Sequence, residues 1–233
     1  MRQVPSYTII GDGKVASHIC HYFNLLNIQH TQWSRRMGEP LAGKVHESSH
    51  ILLLISDDSI AHFIEEHPEL SNKVLIHFSG CLSLPQAIGA HPLMSFSAEA
   101  MPLADYQSIP FILEEGDYDF EDLFPQLNNP NWSIPTADKS YYHALCVMAN
   151  NCTTLLWQKF FGEMQQRFQI PAEAGHELLK KTLCNLLDAP ESALTGPLAR
   201  GDSNTIEKNL SALTDDPYQS IYAAFKNSFS HKS

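Results

Sequence analysis

The sequence predicts an α/β domain built on a doubly wound sheet, followed by an all-α domain. Three observations predict this division. Short apolar runs alternate with helical patterns over residues 1–135, a glycine-containing turn joins the first apolar run to the first helical pattern, and only helical patterns follow from residue 136. We therefore expect two domains, 1–135 and 136–233, with the boundary near Pro135.

The apolar runs of the first half predict strands. Residues 50–55 are continuously apolar, as expected for a parallel strand that is covered on both faces. Between the runs, apolar residues recur at helical spacing, beginning at Val15 directly after the glycine turn. We predict strands at residues 7–10, 28–33, 50–55, 74–78, 91–96, 109–113 and 132–134.

The second half predicts four helices. Residues 141–168 form a long central helix rich in apolar side chains, and residues 173–187 form a second. Two more helices begin near Asn204, which has capping-box spacing, and at Asp216. The central helix offers more apolar surface than a small helical domain can bury alone, so we expect a homodimer formed through this half.

Composition and charge disfavour several classes of partner. With 26 acidic against 15 basic side chains, the formal net charge is −11, which disfavours nucleic acid and anionic membranes. The N-terminus carries no secretory pattern, and the five cysteines have no paired spacing, so we expect a cytoplasmic protein with reduced thiols. The twelve histidines lack the spacing of metal ligands, so we expect no metal site.

The glycine turn carries the most specific chemistry. Gly11 permits a tight turn, Gly13 lets a pyrophosphate approach the backbone, and Ala16 is small enough for close helix–strand contact. Together with Lys14 and Val15 this segment begins a helix, whose N-terminus attracts anions. Because the turn lies between a strand and an amphipathic helix, it predicts a Rossmann-type dinucleotide site rather than an ordinary βα turn.

The end of the second predicted strand indicates which dinucleotide is bound. An acidic residue about twenty positions after the glycines would bind the ribose 2′-hydroxyl of NAD, and the sequence has none there. It has Ser34, Arg35 and Arg36, whose hydroxyl and guanidinium groups suit a 2′-phosphate. We therefore expect NADP as the cofactor, the alternative being a solvated basic loop.

Several segments together resemble a known family. They are Gly-Asp-Gly-Lys-Val-Ala at 11–16, Ser-Gly at 79–80, Gly-Ala-His-Pro-Leu at 89–93, Tyr-His-Ala at 142–144, and the segment from Thr to Asp at 195–202. In this order they resemble an uncharacterised family that pairs a Rossmann-like domain with a helical C-terminal domain of unknown function. More remotely, the layout is similar to the 6-phosphogluconate dehydrogenase superfamily, which includes pyrroline-5-carboxylate reductase, ketopantoate reductase and prephenate dehydrogenase. The resemblance implies an NAD(P)-dependent oxidoreductase with its active site between the domains.

The resemblance also indicates catalytic candidates on the central helix. Many members of the superfamily begin this helix with Lys-x-x-x-Asn, whereas here Lys139 is followed at that spacing by His143. By motif, Asn151 is similar to the family's asparagine, although on an ideal helix Asn150 shares the stripe of Lys139 and His143 and Asn151 is rotated away. We take His143 and Asn151 as catalytic candidates and Lys139 as a weaker one, because a histidine can donate a proton to a carbonyl. The alternative is a hydrogen-bonded core histidine beside a buried asparagine.

Other candidates lie on strand ends and in a helical loop. His91 resembles the histidine of the His-Pro pair in prephenate-type dehydrogenases, and it is the third catalytic candidate. Ser79 and Gly80 follow a strand, where they line a nicotinamide pocket or simply form a turn. Thr195 and Arg200 are candidates for binding a substrate, which is anionic if Arg200 holds its carboxylate.

Taken together, the sequence predicts an NADP-dependent oxidoreductase that acts on a small carbonyl or imine metabolite. The hydride chemistry would belong to the cofactor, and the protein would supply orientation and proton handling. The missing Lys-x-x-x-Asn pattern leaves an alternative, a non-catalytic protein that senses NADP(H) or regulates a partner.

Overall fold

The first part of the chain forms one seven-stranded sheet. The structure is a computed structural model that describes residues 4–230. The strand order is β2-β1-β3-β4-β5-β6-β7, the arrangement of a Rossmann-type fold, which confirms the predicted fold class. The strands are β1 (Tyr7–Ile10), β2 (His30–Trp33), β3 (His50–Leu53), β4 (Val74–His77), β5 (Ile88–Pro92), β6 (Phe111–Glu114) and β7 (Asn131–Ile134).

Helices cover both faces of this sheet. They are α1 (Lys14–Leu25), α2 (Leu41–Val45), α3 (Asp57–Glu66), α4 (Leu103–Ser108) and α5 (Phe120–Leu123). Neighbouring residues of β1 point to opposite faces, since side chains alternate along a strand. Ile9 belongs to the same buried core as Phe23 of α1, whereas Ile10 belongs to a second core with Phe63 of α3. The sheet is therefore doubly wound, as the alternating sequence pattern predicts.

The strand register brings several loops to one edge of the sheet. β1 lies between β2 and β3, all parallel, with Ile10 paired to Trp33 and to Leu53. Leu53 in turn pairs with His77 of the parallel strand β4. The chain moves from β1 outward to β2 and then crosses back past β1 to β3, so a crevice opens at the carboxyl ends of these strands. The glycine turn lies at this crevice.

The far side of the sheet differs from the prediction in two respects. β5 covers Ile88–Pro92 rather than residues 91–96, and β6 runs antiparallel to β5 although β7 is parallel to β6. Gly89 and Ala90 carry little apolar signal, yet both are buried in the sheet, so the local pattern misses the start of the strand. Strand direction depends on partners that are distant in sequence, and an apolar run does not encode it.

The remainder of the described chain is helical. Its elements are α6 (Lys139–Val147), a π-helical turn (Met148–Cys152), α7 (Thr153–Gln166), α8 (His176–Asp188), α9 (Pro197–Arg200), α10 (Ser203–Ala212) and α11 (Tyr218–Ser230). The chain divides into two compact units, residues 1–155 and 156–233. The strands end at Ile134, beside the boundary that the sequence predicts, and the first unit also contains α6 and the π-helical turn.

The second unit has little buried core of its own. Within its described residues, only Gly175 and Ile206 are buried. Local contacts hold its helices: the Lys159 ammonium lies 2.7 Å from an Asp216 carboxylate oxygen, and the Asp202 carboxylate caps α10. None of the helices within residues 4–230 is both long enough and apolar enough to cross a membrane.

Candidate functional site

The two glycines of the first turn have different structural roles. Gly11 has a φ of +131°, its N–H donates to the Trp33 carbonyl at 2.8 Å, and a Cβ at this position would collide with the Leu54 carbonyl oxygen. Gly13 instead faces open space, because no described protein atom lies within 4 Å of the position that a Cβ would take. The fold therefore requires Gly11, whereas the space beside Gly13 is accessible to a ligand.

The N-terminus of α1 opens into the same space. Gly13 is its N-cap residue, and no described side chain caps the free N–H groups of the first turn. Lys14 is exposed, Val15 is half-buried against the core, and Ala16 is completely buried between helix and sheet. Uncapped N–H groups at a helix N-terminus bind phosphate, so this geometry fits the pyrophosphate of a dinucleotide.

A cavity of about 240 Å³ lies beside the glycine turn, at the ends of β1, β2 and β3. Ser34, Arg35 and Arg36 line it together with Asp12. The Arg36 guanidinium lies 2.6 Å from the Asp12 carboxylate, and the Arg35 guanidinium lies 3.5 Å from that of Glu66. The Ser34 hydroxyl is buried, and among the described residues it has no hydrogen-bond partner of normal geometry. The three residues predicted to hold a 2′-phosphate thus share one cavity.

Ser79 and Gly80 form the turn after β4. The Ser79 hydroxyl donates to the Asp57 carboxylate and accepts the backbone N–H of Leu82 at 2.9 Å. Gly80 lies directly against the imidazole of His143, and a Cβ at this position would overlap the ring. Glycine at this position therefore allows α6 to approach the sheet edge closely.

Two histidines from different elements meet at this edge. His91 lies near the end of β5 and His143 lies on α6, with their ring centroids 5.7 Å apart and their planes at 89°. The Nδ1 atom of His91 lies 2.8 Å from the Tyr142 hydroxyl oxygen. Both histidines line a cavity of about 810 Å³ together with Asn150 and Asn151. The three residues predicted to be catalytic, His91, His143 and Asn151, are thus brought together within the first unit.

Electrostatics distinguish the two histidines. Burial lowers the pKa of His91 to about 4, and the neighbouring His143 and Lys139 lower it in the same direction. His91 is therefore neutral at pH 7, with its Nδ1 atom within hydrogen-bonding distance of the Tyr142 hydroxyl. The Nδ1 atom of His143 is buried against Gly80 with no hydrogen-bond partner among the described residues.

Lys139 has a different environment from the one its sequence position suggests. Its side chain is only 3% exposed, and its ammonium lies 2.6 Å from the Glu114 carboxylate of β6 and also donates to the Leu82 carbonyl. Burial lowers the pKa of Lys139, although Glu114 opposes this effect. Lys139 does not line the histidine cavity. The ion pair of Lys139 with Glu114 joins α6 to the sheet. A catalytic role for Lys139 stays a prediction.

The π-helical turn corrects the helical-wheel expectation for Asn151. A π-helical turn contains more residues than an α-helical turn, so side chains that follow are rotated relative to an ideal α-helix. Asn150 and Asn151 both line the histidine cavity, and the side-chain amide N–H of Asn150 donates to the side-chain oxygen of Asn151 at 3.1 Å. An ideal α-helical wheel therefore does not describe Asn151, which lines the same cavity as His143.

Two candidates belong to the second unit. Thr195 precedes α9 and is exposed, and Arg200 is the last residue of α9 and is also exposed. Their role toward a substrate stays a prediction. Among residues 4–230, no group of three or more histidine, cysteine, aspartate or glutamate side chains could hold a metal ion.

Sequence reasoning missed three residues at this edge. Asp12 contacts Arg36, and Tyr142 contacts His91. His77 at the end of β4 is fully buried, and neither of its ring nitrogens is hydrogen-bonded to any residue within 4–230. Asp12 and Tyr142 lie inside motifs that were recognised, but their partners are 24 and 51 residues away. Local spacing carries no signal for such contacts.

Comparisons with solved structures agree with this architecture. A protein from Bacteroides fragilis, provisionally assigned as an NADP oxidoreductase, is 20% identical with a TM-score of 0.74, covering 97% of each chain. Pyrroline carboxylate reductase from Plasmodium falciparum with NADP bound is 13% identical with a TM-score of 0.60, covering 98% of this chain and 97% of the other. An imine reductase variant from Myxococcus stipitatus in complex with NAD+ is 14% identical with a TM-score of 0.60, covering 98% of this chain and 93% of the other. At these identities, the likeness is one of fold.

The sequence comparisons identify the family. No curated protein matches this chain. Residues 113–229 match the model of a family described as a domain of unknown function, DUF2520. Together with the shared fold, this match confirms the resemblance to a family that joins a Rossmann-like domain to a helical C-terminal domain. Since it spans half of the chain, the protein belongs to the DUF2520 family.

Proposed function

We propose that this protein is an NADP(H)-dependent oxidoreductase that reduces a small carbonyl or imine compound. One observation carries the proposal: the open glycine turn and the histidine cavity lie at the same carboxyl edge of the sheet. The four strand spacings from β2 to β5 amount to roughly 19 Å. That distance suits an extended dinucleotide, with its adenosine near Arg36 and its nicotinamide near His91.

The proposed division of labour follows from the side chains. The bound cofactor would supply a hydride to the substrate's carbonyl or imine carbon and become oxidised in the process. His143 would donate the proton that the substrate oxygen or nitrogen gains, while neutral His91 would hold that atom by a hydrogen bond. Asn151 would orient the substrate from the π-helical turn, a type of turn that is frequent at functional sites. Ser79 and Gly80 would line the nicotinamide pocket.

The choice of NADP and of an anionic substrate rests on arginines. Arg35 and Arg36 would bind the 2′-phosphate with Ser34, whose buried hydroxyl has no partner of normal geometry in the part of the chain that the structure describes. Thr195 and Arg200 would hold a substrate carboxylate. The fold that this chain shares with a pyrroline carboxylate reductase and an imine reductase supports a small carbonyl or imine substrate.

We further propose a homodimer formed through the second unit. This unit exposes large apolar side chains, among them Leu183 at 55% and Leu187 at 74% on α8, and Phe168 at 58% in the turn after α7. Within the described part of the chain, α7 and α8 contain no buried residue. Apolar surface of this extent marks an interface, and a second copy of the same surface would cover it symmetrically.

The test separates cofactor binding from turnover. Calorimetry with NADPH measures binding to the full chain and to Gly13→Val. The variant should fold normally, because a Cβ at this position meets no described atom within 4 Å, yet it should lose binding. Consumption of NADPH with a set of small carbonyl and imine compounds then measures turnover. His143→Ala should lower the rate at least a hundredfold with NADPH affinity unchanged.

Three outcomes would contradict parts of this proposal. If Gly13→Val bound NADPH as tightly as the wild type, the cofactor would bind elsewhere. If NADPH bound but no compound were reduced, the non-catalytic sensor would be the better description. If His143→Ala retained the full rate, another group would supply the proton.

A further inference from the structure

Asp12 lies in the middle of the phosphate-binding turn, and its side chain reaches across to Arg36. The carboxylate and guanidinium groups are 2.6 Å apart, and their side chains are 33% and 81% exposed. Two further hydrogen bonds join the same segments: the Gly11 N–H donates to the Trp33 carbonyl, and the Gln32 amide donates to the Gly11 carbonyl, both at 2.8 Å. The turn and the end of β2 are thus held together, with a carboxylate between them.

This carboxylate lies in the cavity that would receive the adenosine ribose. Asp12 lines that cavity together with Ser34, Arg35 and Arg36. The hydrogen bond from Arg36 lowers the pKa of Asp12, so the carboxylate is ionised at neutral pH. Arg35 is paired differently, since its partner Glu66 lies 3.5 Å away and does not line the cavity. Arg36 is therefore paired with an acid inside the cavity, whereas the acid that pairs with Arg35 lies outside it.

The two dinucleotides respond to such a carboxylate in opposite ways. A 2′-phosphate must compete with Asp12 for the Arg36 guanidinium, and its negative charge is repelled at hydrogen-bonding distance. A ribose 2′-hydroxyl can instead donate a hydrogen bond to a carboxylate, the contact that an acidic residue after the second strand provides in NAD sites. Asp12 therefore opposes the phosphorylated ribose and tolerates the unphosphorylated one.

We propose that Asp12 is a specificity-determining residue that reduces the preference of this site for NADPH over NADH. The inference rests on the proposed function, because it concerns the same dinucleotide site. Arg35 and Arg36 favour the 2′-phosphate, and Asp12 limits that advantage through Arg36. The protein as it stands prefers NADPH by a modest factor and also binds NADH.

The test is calorimetric titration of the full chain with NADPH and with NADH. We expect Asp12→Asn to tighten NADPH binding roughly tenfold and to leave NADH binding unchanged or weaker, so that the ratio of the two affinities rises at least tenfold. The matched control is Glu66→Gln, which removes the acid that pairs with Arg35 outside the cavity and should change the ratio less than threefold. Asp12→Ser, titrated with the same two dinucleotides, is a second variant in which we expect a similar rise in the affinity ratio. Thermal melting verifies that each variant is folded.

The outcomes separate this inference from the proposed function. If both dinucleotides bind and the affinity ratio is unchanged or falls in Asp12→Asn and Asp12→Ser, the inference is overturned while the proposed function stands. An equal rise in Glu66→Gln would also overturn it, because the effect would then reflect general surface charge. Binding of neither dinucleotide to the wild type would overturn the proposed function and this inference together.

Discussion

The two units of the molecule differ in how they bury apolar side chains. In the first unit, β1 and β3 are buried at every residue and two cores cover the two faces of the sheet. Among the described residues, every buried apolar side chain except Ile206 belongs to that unit. The second unit has amphipathic helices whose apolar faces remain exposed. The same chain thus contains one unit that buries its apolar side chains in its own cores and one whose apolar helix faces are left exposed.

The largest expected effect lies in the core of the first unit. Phe23 on α1 is 1% exposed, so Phe23→Ala should lower the free energy of unfolding by roughly 3–5 kcal/mol. The loss should not depend on protein concentration, because this core lies within one chain. Urea denaturation at two concentrations measures it, with Leu25→Ala on the same helix as the control, since Leu25 is 39% exposed. A loss below about 1 kcal/mol for Phe23→Ala would mean that this buried core contributes little to stability, and the contrast in core packing between the two units would then have no energetic basis.

The second prediction concerns association through the second unit. Leu183 and Leu187 are 55% and 74% exposed on α8, so changing both to Asp should weaken a homodimer at least a hundredfold. Sedimentation at micromolar concentration should find a dimer for the wild type and a monomer for the double variant. Leu25→Asp, which places a negative charge on an exposed leucine of the first unit, should remain dimeric. A wild-type monomer at this concentration would refute the proposed dimer.

The smallest expected effect is a difference in acid sensitivity. Burial lowers the pKa of His77 and of His91 to about 4, whereas an unfolded histidine binds a proton near its ordinary value of 6.5. The contribution of each buried neutral histidine to the free energy of unfolding is therefore fully present above pH 6.5. It is lost as the pH falls toward 4, by roughly 3 kcal/mol or less for each group. In the second unit, Lys159 lowers the pKa of Asp216, so the contribution of that carboxylate is lost only below its ordinary value of 3.8.

Urea midpoints at pH 7.5 and pH 4.5 measure this difference. The first unit should lose stability over this range, and His77→Gln should flatten the dependence, because the substituted side chain does not titrate. His62→Gln is the matched control, since His62 is exposed on α3. If His77→Gln left the pH dependence unchanged, the buried imidazole would not be its source.

The sequence predicts what depends on neighbours along the chain. β1, the glycine turn and α1 follow from apolar runs and from glycine chemistry, and the structure has them at the expected positions. The start of β5 and the direction of β6 depend on pairing between distant segments. A helical wheel cannot orient Asn151, because it assumes α-helical geometry, which the π-helical turn does not obey.

The candidate site follows the same rule. His91 and His143 carry motif signals, and the structure brings them into one cavity. The ion pair of Asp12 with Arg36 and that of Lys139 with Glu114 cross 24 and 25 residues of chain, and no local pattern indicates either of them. A sequence thus reveals which residue types are available for chemistry, whereas the partner that modifies each one becomes visible only in the fold.

The contact between Gly80 and His143 has a consequence for ligand binding. The imidazole lies directly on the backbone of Gly80, so the ring has little rotational freedom before any substrate arrives. Ordering a free side chain on binding costs about 0.5–1.5 kcal/mol, and most of that entropic cost is already met when α6 folds. The ring also cannot swing to follow its target. In the mechanism proposed above, a substrate would have to bring its reacting atom to this fixed imidazole, so the width of the cavity would limit the range of molecules that react.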